Sequence, residues 1–164
     1  MFRTMRRSKQ QLSQELCEAI LNKGSYGILS VHGDDGYPYG IPMSYVYYQG
    51  KIYLHGADAG HRRDAISRDT HVSFCVIDKS DVVAEALTVA YRSVILFGQA
   101  SFMADTLEKR QALTVLGKKY APQPAMEEHI RQSVERSGAT VSMIEITIDH
   151  MTGKQGLQLM KQGI

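Results

Sequence analysis

The sequence is poor in cysteine, in net charge and in long apolar runs. Its two cysteines, Cys17 and Cys75, lie far apart and have no CxxC spacing or histidine partners, so neither a disulfide framework nor a metal site is predicted. Lys and Arg number 19 against 17 acidic residues, and a net charge of +2 is too small to predict nucleic acid or an anionic membrane as a partner. No apolar run approaches the ~20 residues of a membrane-spanning helix, and no signal-peptide pattern opens the chain. We therefore expect a cytoplasmic protein.

Two further patterns are missing from the sequence. It contains no GxGxxG dinucleotide fingerprint, so any nicotinamide would bind transiently and not in a Rossmann unit of its own. It also contains no internal repeat with a period of about 20 to 50 residues. The 164 residues are enough for one domain, residues 1–164, which buries a core without disulfides.

The predicted elements run from a helix through several strands to two helices and a closing strand. Leu12, Leu16 and Ile20 recur at helical spacing after Ser8 or Ser13 as a cap. Alternating or apolar runs predict strands over residues 26–31, 39–48, 51–55, 70–77, 91–102 and 140–148. Helical patterns follow at 105–120 and 126–135, whereas residues 78–90 fit either a loose helix or an irregular excursion. This order favours an α+β fold, a small and mainly antiparallel barrel with flanking helices.

The segment KIYLHGADAGHRR, residues 51–63, combines a strand with a predicted anion-binding loop. Apolar and polar residues alternate up to Gly56, and Gly56 and Gly60 then free the backbone for turns and for close approach of a ligand. A predicted helix, residues 64–68, is directly preceded by three basic residues, His61, Arg62 and Arg63. Backbone N–H groups at a helix start, together with guanidinium groups, bind phosphate esters well. The segment therefore predicts a phosphate site.

Motifs along nearly the whole chain resemble one known family in the same order. They are MRR (5–7), YGILS (26–30), GYPYGIP (36–42) with YVY (45–47), KIYLHGA (51–57) with Gly60 and Arg62, SVILFG (93–98), KYAP (119–122) and TGK (152–154). The chain resembles the FMN-binding split-barrel proteins related to pyridoxamine 5'-phosphate oxidase, in their nitroimidazole-resistance (Nim-type) branch. The resemblance implies a split β-barrel that forms a homodimer, with FMN, or alternatively FAD, at the subunit interface.

The resemblance also implies roles for individual residues. The flavin phosphate and ribityl chain would meet the segment from His55 to Arg62, with Arg62 where the family commonly has lysine. Backbone groups of residues 42–45 would lie along the isoalloxazine edge, and Arg92 and Ser93 would come from the second subunit. The implied cofactor-binding residues are Pro42, Met43, Ser44, Tyr45, His55, Gly56, Ala57, Gly60, His61, Arg62, Arg92, Ser93 and Lys154. His55 is also the catalytic candidate, as a proton donor or nucleophile beside the flavin.

Several of these residues have simpler interpretations. Pro42 fits an edge-strand proline, and Tyr45 and Tyr47 fit core or interface aromatics as well as they fit flavin contacts. His55 by itself is typical of a hydrogen-bonded strand histidine. Its neighbours Gly56, Gly60 and Arg62 favour the cofactor role.

The implied function is that of a flavin-dependent oxidoreductase. It would take electrons from NAD(P)H or another donor and reduce nitroimidazole-like or other small organic substrates. One alternative is a protein that stores or senses flavin or haem without turnover, with His55, His61 or His71 as iron ligands. Another is a pyridoxamine-phosphate oxidase proper.

Overall fold

A six-stranded antiparallel barrel forms the centre of the molecule. The computed structural model describes residues 1–161. The strands are β1 (Tyr26–His32), β2 (Pro38–Tyr48), β3 (Lys51–Gly56), β4 (His71–Val83), β5 (Thr88–Phe102) and β6 (Ser142–Gln155). The helices are α1 (Gln14–Lys23), α2 (His61–Arg68), α3 (Leu107–Tyr120), α4 (Glu127–Ser137) and α5 (Leu157–Lys161). The predicted α+β class is confirmed, and none of the helices in residues 1–161 is long and apolar enough to cross a membrane.

The strands follow the ring order β1, β2, β3, β6, β5, β4, and each neighbouring pair is antiparallel. The ring is closed unevenly. Between β1 and β4 only Ile28–Ser30 pair with Ser73–Cys75, whereas β4 and β5 pair along most of their length. This uneven ring confirms the predicted split barrel.

Apolar side chains fill the barrel because every second residue of each strand points inward. Leu29, Leu54, Phe74 and Leu96 come from four different strands and are fully buried. Burial of each such side chain contributes about 1.5–3 kcal/mol. Helix α1 adds Cys17, Ile20 and Leu21 to the same core, and the Ser13 hydroxyl caps its first turn by accepting a hydrogen bond from the Leu16 N–H.

A second, smaller core lies on the outer face of the barrel. Val46, Tyr53 and Met143 point outward from β2, β3 and β6, and α3 covers them with Ala112 and Leu116. Helix α3 therefore packs against this outer face, and α4 packs against α3 through Ile130 and Gly117.

Three elements differ in extent from the sequence prediction. Residues 78–90 form the ends of β4 and β5, which pair up to Val83 and Thr88 around a tight turn. Helix α2 begins at His61, ahead of the predicted start at Asp64. Strand β6 continues past Ile148 to Gln155, because its pairing with β5 resumes after an irregularity between Phe97 and Gly98.

Candidate functional site

The predicted phosphate site lies where β3 ends and α2 begins. Strand β3 ends at Gly56, and Gly60 immediately precedes α2 with a φ of 101°, a value that favours glycine. In the part of the chain that the structure describes, no side chain caps this helix start. Its first backbone N–H groups are therefore open to a ligand.

Arg62 packs its guanidinium against the backbone of Gly56. A Cβ atom at position 56 would overlap the guanidinium, so glycine is required for this packing. The Arg62 Nη2 donates to the carbonyl of Ala57 at 2.8 Å, and Nη1 lies 3.8 Å from the Met43 sulfur. The Nε atom is buried and has no partner among residues 1–161, and partial burial lowers the pKa of Arg62. A cation that is partly removed from water in this way is costly unless an anion offsets it.

The two basic neighbours of Arg62 already face carboxylates. The His61 ring stacks on Tyr39 with centroids 4.3 Å apart, and its Nε2 lies 3.4 Å from Asp34. Arg63 pairs with Asp58 at 2.6 Å. Within residues 1–161, Arg62 has no such acidic partner, so it is the cation best placed to meet an external anion.

The β2 segment 42–45 alternates between the two faces of the barrel. Pro42 and Ser44 are exposed on the outer face, whereas Met43 and Tyr45 point into the core. The Tyr45 hydroxyl donates to the carbonyl of Leu21 at 2.8 Å, and burial raises the pKa of Tyr45. The side chain of Tyr45 is thus a core aromatic, and its backbone N–H donates to the Tyr120 hydroxyl at 2.9 Å.

Ser44 and His55 stand side by side on the outer face of β2 and β3, and both line one cleft. The cleft has a volume of about 360 Å³ and lies between these strands and the helices α3 and α4. Helix α3 contributes apolar groups to it, chiefly Leu113, Leu116 and Gly117. Helix α4 contributes His129, Ile130, Ser133, Val134 and Ser137. A mainly apolar cavity with a few polar groups has the character of a small-molecule site.

Arg92, Ser93 and Lys154 lie elsewhere in the same chain. Ser93 pairs with Lys154 across β5 and β6, and the guanidinium of Arg92, a residue only 8% exposed, donates to Asp78 at 2.6 Å. Roughly 36 Å of strand β6 separates Lys154 from Met143, the residue that pairs with His55. One chain therefore does not bring these three residues together with Arg62.

The histidines proposed as haem ligands are also dispersed. His55 lines the cleft, His61 stacks on Tyr39, and His71 Nδ1 lies 2.8 Å from Asp69. The same carboxylate binds His32 Nδ1 at 2.8 Å. Hydrogen bonds with the His71 backbone N–H, the His71 ring and the His32 ring hold the pKa of Asp69 well below its usual range. The described part of the chain contains no cluster of three or more His, Cys, Asp or Glu residues suited to a metal ion.

Sequence reasoning missed the α3 and α4 side of the cleft. The sequence predicts both helices, but the period of a helix does not say which strands it covers. The KYAP motif at the end of α3 was the available signal, because it contains Tyr120, which lines the cleft.

One protein-family model matches the sequence over residues 13–155, and its description is pyridoxamine 5'-phosphate oxidase. A comparison of the sequence with curated proteins gives no match.

Solved structures share the fold. A candidate 5-nitroimidazole antibiotic resistance protein from Bacteroides thetaiotaomicron is 22% identical, with a TM-score of 0.71 over 88% of this chain and 86% of that chain. An FAD and haem binding protein from Mycobacterium smegmatis is 21% identical, with a TM-score of 0.76 over 90% of this chain and 74% of that chain. An FAD-binding protein from Mesorhizobium loti is 20% identical, with a TM-score of 0.64 over 89% of this chain and 96% of that chain. At these identities the similarity establishes the fold alone.

Proposed function

The chain belongs to the pyridoxamine 5'-phosphate oxidase family, and from this premise we propose that it is a flavin-dependent oxidoreductase that reduces small organic substrates. The observation that carries the proposal is Arg62. Within residues 1–161 its Nε is unpaired and it has no carboxylate partner. It is partly buried and lies in the first turn of α2, whose start has no side-chain cap there. The phosphate of a flavin would supply the missing anion.

The residues at the start of α2 fit a flavin phosphate. The positive charge of Arg62 can pair with the phosphate, and the first N–H groups of α2 can donate hydrogen bonds to its oxygens. Arginine in place of the family's common lysine keeps the positive charge and adds a second parallel donor. Because this segment offers one compact site for a single phosphate group, we propose FMN as the cofactor, with FAD as the alternative.

Ser44 and His55 would act at the reacting end of the cofactor. When bound, flavin supplies two-electron transfer between a donor such as NAD(P)H and a substrate. The Ser44 hydroxyl and the backbone of β2 would hold the ring edge, and a ring nitrogen of His55 would donate a proton to the substrate. Helices α3 and α4 would exclude water from that side. The structural relative named for 5-nitroimidazole resistance supports nitro compounds as substrates.

A second copy of the chain would complete the site. Within one chain Ser93 and Lys154 stand far from Arg62, and we propose that the partner subunit brings its own copies of Ser93 and Lys154 to the flavin, whereas Arg92 stays paired with Asp78. An exposed apolar strip on the outer face of β1, β4 and β5 supports such an interface, through Tyr26, Ile77, Ile95 and Phe97.

The test is flavin binding by the purified protein and by two neighbouring variants. We expect a yellow protein that releases FMN, as identified by mass spectrometry, and that bleaches when NADH or NADPH is added anaerobically. Arg62→Ala should weaken FMN binding at least about tenfold, because it removes a charge-assisted contact. Arg63→Ala removes an equal charge that Asp58 already pairs, so its FMN affinity should stay close to that of the wild type.

Colourless protein that ignores added FMN would overturn the proposal. A Soret band would favour haem binding instead, and equal losses of FMN affinity in the two variants would remove Arg62 from its proposed role.

A further inference from the structure

The cleft beside Ser44 and His55 has uncharged walls. Among the described residues that line it, none carries a carboxylate, ammonium or guanidinium group. This is notable because α4 has five charged residues in its sequence EEHIRQSVERS. The cleft-facing side of that helix instead carries His129, Ile130, Ser133, Val134 and Ser137.

Nearby charges are held away from the cleft by contacts of their own. Arg131 binds Glu128 and Glu135 on the exposed side of α4, at 2.5 and 2.6 Å. Lys118 pairs with Glu127 at 2.9 Å. The remaining cation at the end of α3, Lys119, turns toward the barrel, where its Nζ lies 4.1 Å from the centre of the Tyr45 ring. The lack of charge in the cleft therefore follows from how α3 and α4 are oriented.

We propose that this cleft is the substrate site and that it selects uncharged, mainly apolar substrates against anionic ones, phosphorylated pyridoxamine included. The inference rests on the proposed function, because Ser44 and His55 belong both to the cleft and to the expected flavin edge. Moving a phosphate or carboxylate from water into walls without a cation costs several kcal/mol, whereas a neutral ring loses little on transfer. A volume of about 360 Å³ suits a ligand of one or two rings.

The polar groups of the cleft match a neutral substrate with hydrogen-bonding ends. Two histidines line the cleft on opposite sides, His55 on β3 and His129 on α4. The serines Ser133 and Ser137 of α4 also line it. Such groups orient a neutral nitro or carbonyl compound without needing a charge on it.

The experiment compares two ligands that differ in one charge, 4-nitrobenzamide and 4-nitrobenzoate. Binding is measured by calorimetry, and reduction is measured with NADH under anaerobic conditions. In the first step the nitro group gains a hydride from NADH and a proton, loses water and becomes a nitroso group, while NADH becomes NAD⁺. We expect the amide to bind at least about tenfold more tightly than the benzoate and to be preferred in kcat/KM by a similar factor.

A matched pair of variants locates the selectivity. Ser133→Lys adds a cation to the cleft wall, and it should shift the amide-to-benzoate ratio at least about fivefold toward the benzoate. Gln132→Lys adds the same charge at the neighbouring exposed position of α4, outside the cleft lining, and it should leave the ratio unchanged.

The outcomes separate this inference from the proposed function. Equal or tighter binding of the benzoate, the same shift in both variants, or oxidation of pyridoxamine 5'-phosphate by the wild type would overturn the inference even in a flavin-loaded, active enzyme. A protein that binds no flavin would overturn the proposed function, and the calorimetric ratio would still decide the chemistry of the cleft.

Discussion

Single residues in this molecule show where charge is tolerated and where it is left unsatisfied. Arg92 is nearly buried, but Asp78 neutralises it at 2.6 Å. Arg62 is also partly buried, yet the polar partners of its guanidinium within residues 1–161 are the Ala57 carbonyl and the Met43 thioether, and its Nε has no partner among these residues. The difference supports the proposed role of Arg62 toward an anionic ligand, since a partly buried cation without an acidic partner costs folding free energy that an anion would offset.

His55 is the residue on which the proposed chemistry depends most directly. His55→Ala removes the imidazole from the cleft but leaves Arg62 and the start of α2 unchanged. We expect flavin occupancy to remain largely intact and turnover to fall by about 100-fold, which is typical when a general acid is lost. The checks are flavin absorbance per chain and steady-state reduction of a nitro substrate.

His71→Ala is the control for the His55 variant, because His71 is exposed and binds Asp69 outside the cleft. It should retain wild-type turnover. Full flavin occupancy together with full turnover in His55→Ala would contradict the catalytic role of His55.

Lys119 gives the stability of the protein a pH dependence. Burial lowers the pKa of Lys119 from 10.5 to about 8, so the folded chain releases this proton at a lower pH than the unfolded chain does. Between these values the unfolded state binds more protons, and the contribution of Lys119 to the free energy of unfolding therefore rises with pH. Below pH 8 the cost of burying the charge is fully present.

Lys119→Met should remove this component. The difference in urea unfolding free energy between variant and wild type is expected to favour the variant most below pH 8, and to shrink as the pH approaches 10.5. A difference that stays constant across this range would contradict the assigned burial of the charge.

At the scale of elements, one hydroxyl fixes the end of α3 on the barrel. The Tyr120 hydroxyl accepts from the Tyr45 N–H at 2.9 Å and contacts the carbonyls of Ser25 and Tyr45. Tyr120→Phe leaves the Tyr45 N–H without its partner, so the free energy of unfolding should fall by about 1–3 kcal/mol. Chemical denaturation measures this loss, and the same variant of an exposed tyrosine, Tyr37→Phe, should lose almost nothing.

A short window of sequence predicts an element well when the residues that determine its structure are close together in the chain. Helix α1 matches its predicted period and its Ser13 cap. Residues 78–90 could not be assigned, because their strand pair is mostly exposed and has no alternation of apolar residues. Their structure depends on the register of β4 with β5, which no short window of sequence contains.

The same limit applies to the candidate site. The segment 51–63 was predicted as a strand, a glycine loop and a helix start because all of its signals are contiguous in the chain. The cleft joins Ser44 and His55 to His129 and Val134, which are far away in sequence. The α4 pattern indicates that one face is apolar, but only the packing of α3 and α4 shows that this face lines the same cleft as His55.

At the scale of the whole molecule, the outer face of the barrel is covered unevenly. Helix α3 buries the face formed by Val46, Tyr53 and Met143. On β1, β4 and β5 the outward side chains stay exposed, with Tyr26 at 64%, Ile77 at 56%, Ile95 at 41% and Phe97 at 40%. A row of large apolar groups on neighbouring strands is what a self-association surface requires.

Ile95→Glu tests whether this face joins two copies around the cofactor. The variant places a carboxylate in the centre of the exposed row, where it would be buried without a partner in a dimer, so we expect a monomer by analytical ultracentrifugation. Its FMN affinity should also fall, because the partner's Ser93 and Lys154 would no longer reach the flavin. Leu107→Glu changes an exposed apolar residue at the start of α3 and should leave both the dimer and FMN binding intact. A wild-type monomer that binds FMN at full affinity would contradict the shared site, because a single chain would then suffice, with Arg62 and the start of α2 supplying all of the phosphate contacts.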